Sequence, residues 1–239
     1  MGRVSEFYDE FTRLQLKSGI NHRHLSIQRH LEKIGLMPNS KVLEVGCGIG
    51  TVSELILRFL SKEGALTATD ISPKSLEIAR KKLAKYANVI IREIDLTTQE
   101  IDGDFDLIVL PDVIEHIPID KHKSLFAKLS IRLKFGGCVF IHIPDPNHLE
   151  WTIKHNPTEL QIIDQPIHTH ILSANLLDTG LYIHHLESYS IYNNAPDYQA
   201  IVLKHIPKKS DYSTRNRFLH DSMIRRLKRK VKYVIRGNK

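Results

Sequence analysis

The chain has 239 residues, 41 % of them hydrophobic and 26 % charged, which suffices for one large α/β domain with appendages and excludes two full domains. Two cysteines, Cys47 and Cys138, lie too far apart for a disulfide framework or a thiolate metal cluster, and no run approaches the roughly 18 apolar residues of a membrane span. The net charge of +7 divides unevenly: residues 204–239 hold 13 Lys/Arg against 2 Asp/Glu and residues 1–203 hold 21 against 25, so the mildly acidic body is a poor partner for a polyanion and the tail a good one.

In chain order, the pattern predicts an N-terminal helical segment over about 4–35. Val42-Leu-Glu-Val-Gly-Cys-Gly-Ile-Gly50 reads as a strand closing on a glycine turn, and Thr51–Leu60 as the helix that follows. Gly46, Gly48 and Gly50 let the backbone take conformations closed to residues with a Cβ and let a ligand lie against helix N–H groups, so a nucleotide-like cofactor is the expected occupant. A second apolar run ends on Asp70, about twenty residues later, where an acid accepts hydrogen bonds from ribose hydroxyls. Ser72-Pro73 then starts a helix with Leu76, Ala79, Leu83 and Tyr86 on its apolar stripe and Ile78 off it.

A third run, Asn88–Glu93, leads to Asp95, and a fourth, Phe105–Leu110, leads to Pro111-Asp-Val-Ile-Glu-His116. A helix from about Lys121 to Leu133 and a strand from Leu133 to Pro144 come next. Residues 146–172 carry little periodicity and the single tryptophan, and are expected to cover the substrate. Leu172–Gly180 reads as a short helix capped by Ser173, and Tyr182–Tyr192 and Gln199–His205 as the last two strands. Strands alternating with helices imply an α/β fold with a doubly wound, mostly parallel sheet. The expected division is a helical cap over 1–35, the α/β domain over 36–206 and a basic amphipathic tail over 207–239.

These motifs, in this order, resemble the class I S-adenosylmethionine-dependent methyltransferases, in the branch that includes ubiquinone-biosynthesis O-methyltransferases and many natural-product and sugar methyltransferases. The resemblance runs motif by motif over roughly residues 40–145. It implies a seven-stranded Rossmann-like sheet with its last two strands antiparallel, and S-adenosyl-L-methionine as cofactor. Glu44 and the turn Gly46, Gly48, Gly50 would hold the methionine end, Asp70 with Ile71 the ribose, Asp95 with Leu96 the adenine, and Leu110-Pro111 would wall the pocket.

Asp112, Glu115 and His116 stand at i, i+3, i+4, one face of a helical turn. The resemblance implies a divalent metal such as Mg²⁺ on these three in some relatives. The alternatives are His116 as a bare base on an acceptor hydroxyl, or a Glu-His pair that only braces the turn. His168 and His170 alternate in an extended stretch and are candidates for a catalytic role on one side of it, with His142 a further one. Tyr8 and Asn21–His24 are placed to close over a cofactor carboxylate. The tail helix, Arg215–Arg236, suits an anionic membrane surface, or equally a second subunit of a homodimer or an extended solubilising arm.

The expected activity is methylation of a hydroxyl on a small molecule or glycan, lipid-linked in one version, in the cytoplasm or peripheral to the inner face of the membrane. An RNA ribose 2′-O-methyltransferase, with the tail on nucleic acid, and a non-catalytic cofactor-binding protein are the rivals.

Overall fold

The computed structural model describes residues 19–208. Asn21 opens α1 (His22–Ile34) with a reciprocal cap, its side chain accepting from the His24 N–H while the His24 ring accepts from its own N–H. Gly35, in the left-handed region, closes the helix. Then follow β1 (Lys41–Val45), α2 (Thr51–Phe59), β2 (Ala65–Asp70), α3 (Pro73–Leu83), β3 (Val89–Glu93) and β4 (Phe105–Pro111). A 3₁₀ turn over Ile114–His116 leads to α4 (Ile119–Arg132), β5 (Leu133–Pro144), α5 (Pro146–His155), α6 (Thr169–Leu176), β6 (Leu181–Tyr189) and β7 (Tyr198–His205).

The strands form one seven-stranded sheet in the order β3-β2-β1-β4-β5-β7-β6. The first five are parallel, and β7 runs antiparallel between β5 and β6. Strand order reverses between β1 and β4, which places a ligand crevice at their carboxyl ends.

Alternation along the central strands sorts the core onto two faces. Val42, Leu107, Val109 and Phe140 pack with Ile27 and Leu31 of α1 and Ile56 of α2. Leu43, Ile108, Leu110 and Ile141 pack with Leu125 and Phe126 of α4 and Leu172 of α6. Each such side chain, removed from water, contributes about 1.5–3 kcal/mol. Helix α3 buries Leu76, Ala79 and Leu83 and leaves Ile78 half-exposed, as the stripe predicts.

Two local expectations are corrected. The stretch 146–172 holds α5, capped by Asp145 accepting from the Asn147 N–H with Pro146 in its first turn, a start signal legible in Asp-Pro. The following helix begins at Thr169 rather than near Ser173, which sits inside it. The N-terminal helical segment is described only from His22 on, and the amphipathic tail lies outside the described residues, as does Tyr8. Among the described residues no helix is long and apolar enough to cross a membrane.

Candidate active site

A cleft of about 1300 Å³ opens at the carboxyl ends of β1, β2 and β4. Its floor is the β1–α2 turn, where Gly46 and Gly48 take φ of 74° and 51°, values that L side chains rarely adopt. The Gly46 and Cys47 N–H groups donate to the Thr69 carbonyl at 2.8 and 2.9 Å, tying the turn to β2. Asp70 braces it further, accepting from the Gly48 N–H at 2.7 Å and from the Ser72 N–H at 2.9 Å. Burial raises the Asp70 carboxyl, and these backbone donors hold it back. The Ile71 N–H also donates to this carboxyl, which with about four acceptor positions in all keeps room for a ligand hydroxyl.

Glu44 lies under this turn, fully buried. One carboxyl oxygen accepts a short hydrogen bond from Ser53 Oγ, and the other has no partner. Burial pushes the carboxyl up to about 7. A buried carboxyl oxygen left unsatisfied beside a glycine cradle is a site for a cationic N–H donor. Along the cleft, Ile71, Asp95, Leu96 and Pro111 also form the wall, and Asp95 is held by the Thr97 N–H and hydroxyl on Oδ1.

Two expected cofactor contacts are corrected. Gly50, at φ 76°, does not line the cleft. A Cβ there would stand 3.1–3.4 Å from Leu83 and Ala79, so this glycine lets α2 seat against α3. Leu110 is fully buried in the core face that includes Ile108, leaving the wall to Pro111.

At the end of β4, Asp112 takes a φ of 55°, rare outside glycine. Its Oδ2 accepts from Arg23 of α1 at 2.6 Å and its Oδ1 from His142 Nδ1 at 2.7 Å. His142, wholly buried, then accepts at Nε2 from the Tyr189 hydroxyl at 2.8 Å, which accepts from Ser26 Oγ at 2.9 Å. Burial alone would raise the Asp112 carboxyl, but Arg23 and His142 outweigh it and hold it at about 2. The network pins α1 across β4, β5 and β6.

The metal expectation for Asp112, Glu115 and His116 is corrected by this arrangement. Both Asp112 oxygens are committed to cations or N–H donors. Glu115 is buried with neither oxygen hydrogen-bonded, and burial raises its carboxyl, so it presents no open carboxylate to a metal. Among the described residues no three His, Cys, Asp or Glu side chains converge as a metal site.

His116 does line the cleft. Its Nδ1 donates to the Ile163 carbonyl at 2.6 Å and faces Asp164 Oδ1 at 3.1 Å. Its Nε2 lies 3.7 Å from Glu115 Oε1. Burial would lower the ring's affinity for a second proton, but Glu115, Asp164 and the Ile163 carbonyl outweigh it and raise it. Gln165 fastens this segment to the turn, its N–H donating to the Glu115 carbonyl at 3.0 Å and its side chain to the Ile117 carbonyl at 2.9 Å. Sequence reasoning missed Asp164 and the partnership of Arg23 with Asp112. His168 and His170 stay away from the cleft wall: their rings stack at 5.7 Å, and His168 pairs with Glu150 at 2.8 Å.

A family profile described as a methyltransferase domain matches residues 43–139, from β1 into β5. Over 137 residues the chain is 30 % identical to the tuberculostearic acid methyltransferase UfaA1 of Mycobacterium tuberculosis, covering 56 % of this chain and 31 % of that protein. Over 108 residues it is 30 % identical to the ubiquinone biosynthesis O-methyltransferase of Xanthomonas campestris, 44 % of this chain and 43 % of that one. The chain thus spans less than half the length of these curated relatives. The magnesium protoporphyrin IX methyltransferase of Synechocystis, solved with bound SAH, shares the fold at a TM-score of 0.59 and 18 % identity, over 77 % of this chain and 81 % of that one. With its glycine turn, strand-end acids and seven-stranded sheet, the chain carries a methyltransferase domain over residues 43–139 and resembles the class I S-adenosylmethionine-dependent methyltransferases in fold.

Proposed function

We propose that the protein transfers a methyl group from S-adenosyl-L-methionine to an oxygen of a small-molecule acceptor. The observation that carries the cofactor is Glu44: an unpartnered buried oxygen under a glycine turn fits the ammonium of the methionine end. The α2 N-terminus beside it, with Thr51 and Val52 on the cleft, suits the carboxylate. Asp70 has lone pairs for the ribose and Asp95 stands along the wall for the adenine. When bound, the cofactor supplies a sulfonium methyl, an electrophile that needs only a nucleophile held in line with it. The chain's own contribution is then to fix both partners and exclude water.

The expectation that His116 deprotonates a hydroxyl meets an obstacle in its partners. A ring held as a cation near neutrality offers protons rather than taking them. The reading favoured here therefore keeps oxygen as the accepting atom without a neutral imidazole as base. A non-catalytic binding protein would show cofactor affinity and no transfer to any acceptor.

Calorimetric titration with S-adenosylhomocysteine tests the assignment. Wild-type protein should bind it, and Glu44→Gln, which keeps the shape and removes the charge, should weaken binding by about ten-fold or more. No binding by the wild type, or unchanged affinity in the variant, would sink the reading. Glu44 also predicts a pH effect on the ligand-free fold. Because the folded protein holds this proton more tightly than the unfolded chain, the stabilising contribution is complete below about pH 4.5 and lost as pH rises through about 7. Urea denaturation at pH 5 and 8 should show that loss in wild type and less of it in Glu44→Gln.

A further inference from the structure

We propose that Lys128 of α4 is a positioning residue for the adenine end of the cofactor: its ammonium gathers the carbonyls of Leu96, Thr97 and Gln99 and so holds the loop after β3 in the shape that takes the base. The proposal rests on the methyltransferase reading above, with Asp95 as the adenine contact, and adds the residue outside the cleft that sets this contact in place.

The ground is the way this loop is built. All of residues 93–99 line the cleft, whereas Lys128 is not among the lining residues. Asp95 starts a single turn. Its Oδ1 accepts from the Thr97 N–H and hydroxyl at 2.9 and 2.6 Å, and its carbonyl accepts from the Thr98 and Gln99 N–H groups at 3.1 and 2.8 Å. The Asp95 N–H in turn donates to Gln99 Oε1 at 2.9 Å. The next element is β4 rather than a helix, so the last carbonyls of the turn meet no N–H groups of a following one. One turn is not stable by itself.

Lys128 supplies what that following turn would. Its Nζ donates to the carbonyls of Leu96 at 3.4 Å, Thr97 at 3.3 Å and Gln99 at 3.2 Å, so the donors of one ammonium are matched by carbonyl acceptors. No single one of these bonds is short; their convergence fixes the loop. A cation at the carbonyl end of a turn also complements the turn's dipole. Helix α4 brings Lys128 there because Lys121, Leu125 and Lys128 stand at i, i+4 and i+7, along one face, and the first two line the cleft. Leu96 packs in the same apolar cluster as Leu125 and Leu129, so the loop is held by a side chain as well as by its carbonyls. Glu100 is a further partner of Lys128, at 3.7 Å and with its side chain 62 % exposed, a pair of the kind that contributes little. With Asp95 Oδ1 tied to Thr97, the turn decides where Oδ2 stands relative to a bound base.

The test uses the full chain, titrated with S-adenosylhomocysteine by calorimetry, and the variants Lys128→Met, Lys128→Arg and Glu100→Gln. Lys128→Met keeps an unbranched stem and removes the donors, and its affinity should fall about ten-fold or more. Lys128→Arg, which restores a cation with several donors, should stay within about three-fold of wild type, and so should Glu100→Gln. Amide hydrogen exchange on the ligand-free proteins separates positioning from a general loss of stability. In Lys128→Met, exchange should quicken at Thr98 and Gln99, whose N–H groups close the turn, and stay unchanged at Leu43 and Ile108 in the paired central strands. Should Lys128→Met not fold, Lys128→Gln is put through the same two measurements with the same expectation. Unchanged affinity in Lys128→Met, an equal loss in Lys128→Arg or Glu100→Gln, or exchange that quickens equally in the central strands would overturn the proposal and leave the methyltransferase reading standing. Failure of the wild type to bind S-adenosylhomocysteine would remove that reading and the proposal with it.

Discussion

Asp112→Ala is expected to destabilise the fold by about 3–5 kcal/mol, because it strands a half-buried guanidinium and a buried imidazole N–H in one step. Arg23 loses its 2.6 Å partner and His142 its 2.7 Å acceptor, and the tie that holds α1 over the sheet goes with them. Asp112→Asn isolates the charge, since asparagine tolerates the left-handed backbone at this position and still offers an acceptor. Its cost should be about half as large. The sign of the pH effect is fixed by the carboxyl, held at about 2 in the fold against an ordinary 3.8. A depressed acid stabilises fully above its ordinary value, and the contribution is lost as pH falls through about 4 towards 2. Chemical denaturation of the three proteins at pH 7 and pH 3 should show the difference between wild type and Asn narrowing at the lower pH. An Ala variant within about 1 kcal/mol of wild type would mean that the ion pair contributes little in solution.

Gly46→Val should remove cofactor binding while leaving a folded protein of reduced stability. The residue sits at φ 74°, where a β-branched side chain costs about 1–2 kcal/mol or more. Its Cβ would stand 2.4 Å from a Val113 methyl, so Val113 or the turn must move, and the added methyls project beside the cleft floor. A binding loss of about 3 kcal/mol, roughly a hundredfold, is expected by calorimetry. The control is Gly50→Ala, whose Cβ presses on Leu83 and Ala79 rather than into the cleft. It should lower stability and spare affinity. Equal affinity losses in both variants would show that the two glycines serve one purpose.

The strands and most helices were legible because each apolar run has the period of its element and is bounded by Gly, Pro, Asp or Ser. The chemistry was legible where it depends on local spacing, as at Glu44, Gly46, Gly48 and Asp70. It was hidden where it depends on register or on distant segments. Gly50 looks like its two neighbours in sequence, and only the packing of α3 distinguishes it. Leu110 could have been placed, since alternation from Ile108 sends it to the core face and Pro111 to the other. His142 meets Asp112 because β5 pairs with β4 in a register that sets His142 beside Pro111, and no periodicity reveals register between strands. Asp164 reaches His116 from a stretch without period. His168 and His170 do share a side, but as the entrance to α6 rather than as part of the cleft wall.

The position of β7 bears on how the chain is made. This strand is the last of the sheet in sequence, yet it lies between β5 and β6 and pairs with both. During synthesis the open side of β5 therefore waits without a backbone partner for the roughly 60 residues that separate Pro144 from His205. At about 5–20 residues per second that interval is roughly 3–12 s. The waiting surface includes Phe140, Ile141 and Ile143, all wholly buried once folding is complete. A nascent chain stalled in this window presents an apolar strand edge to any other chain nearby, which is the kind of segment that chaperones shield and that aggregates when they do not. Slowing translation between codons 145 and 197 should thus lower the soluble yield more than an equal delay placed before β4.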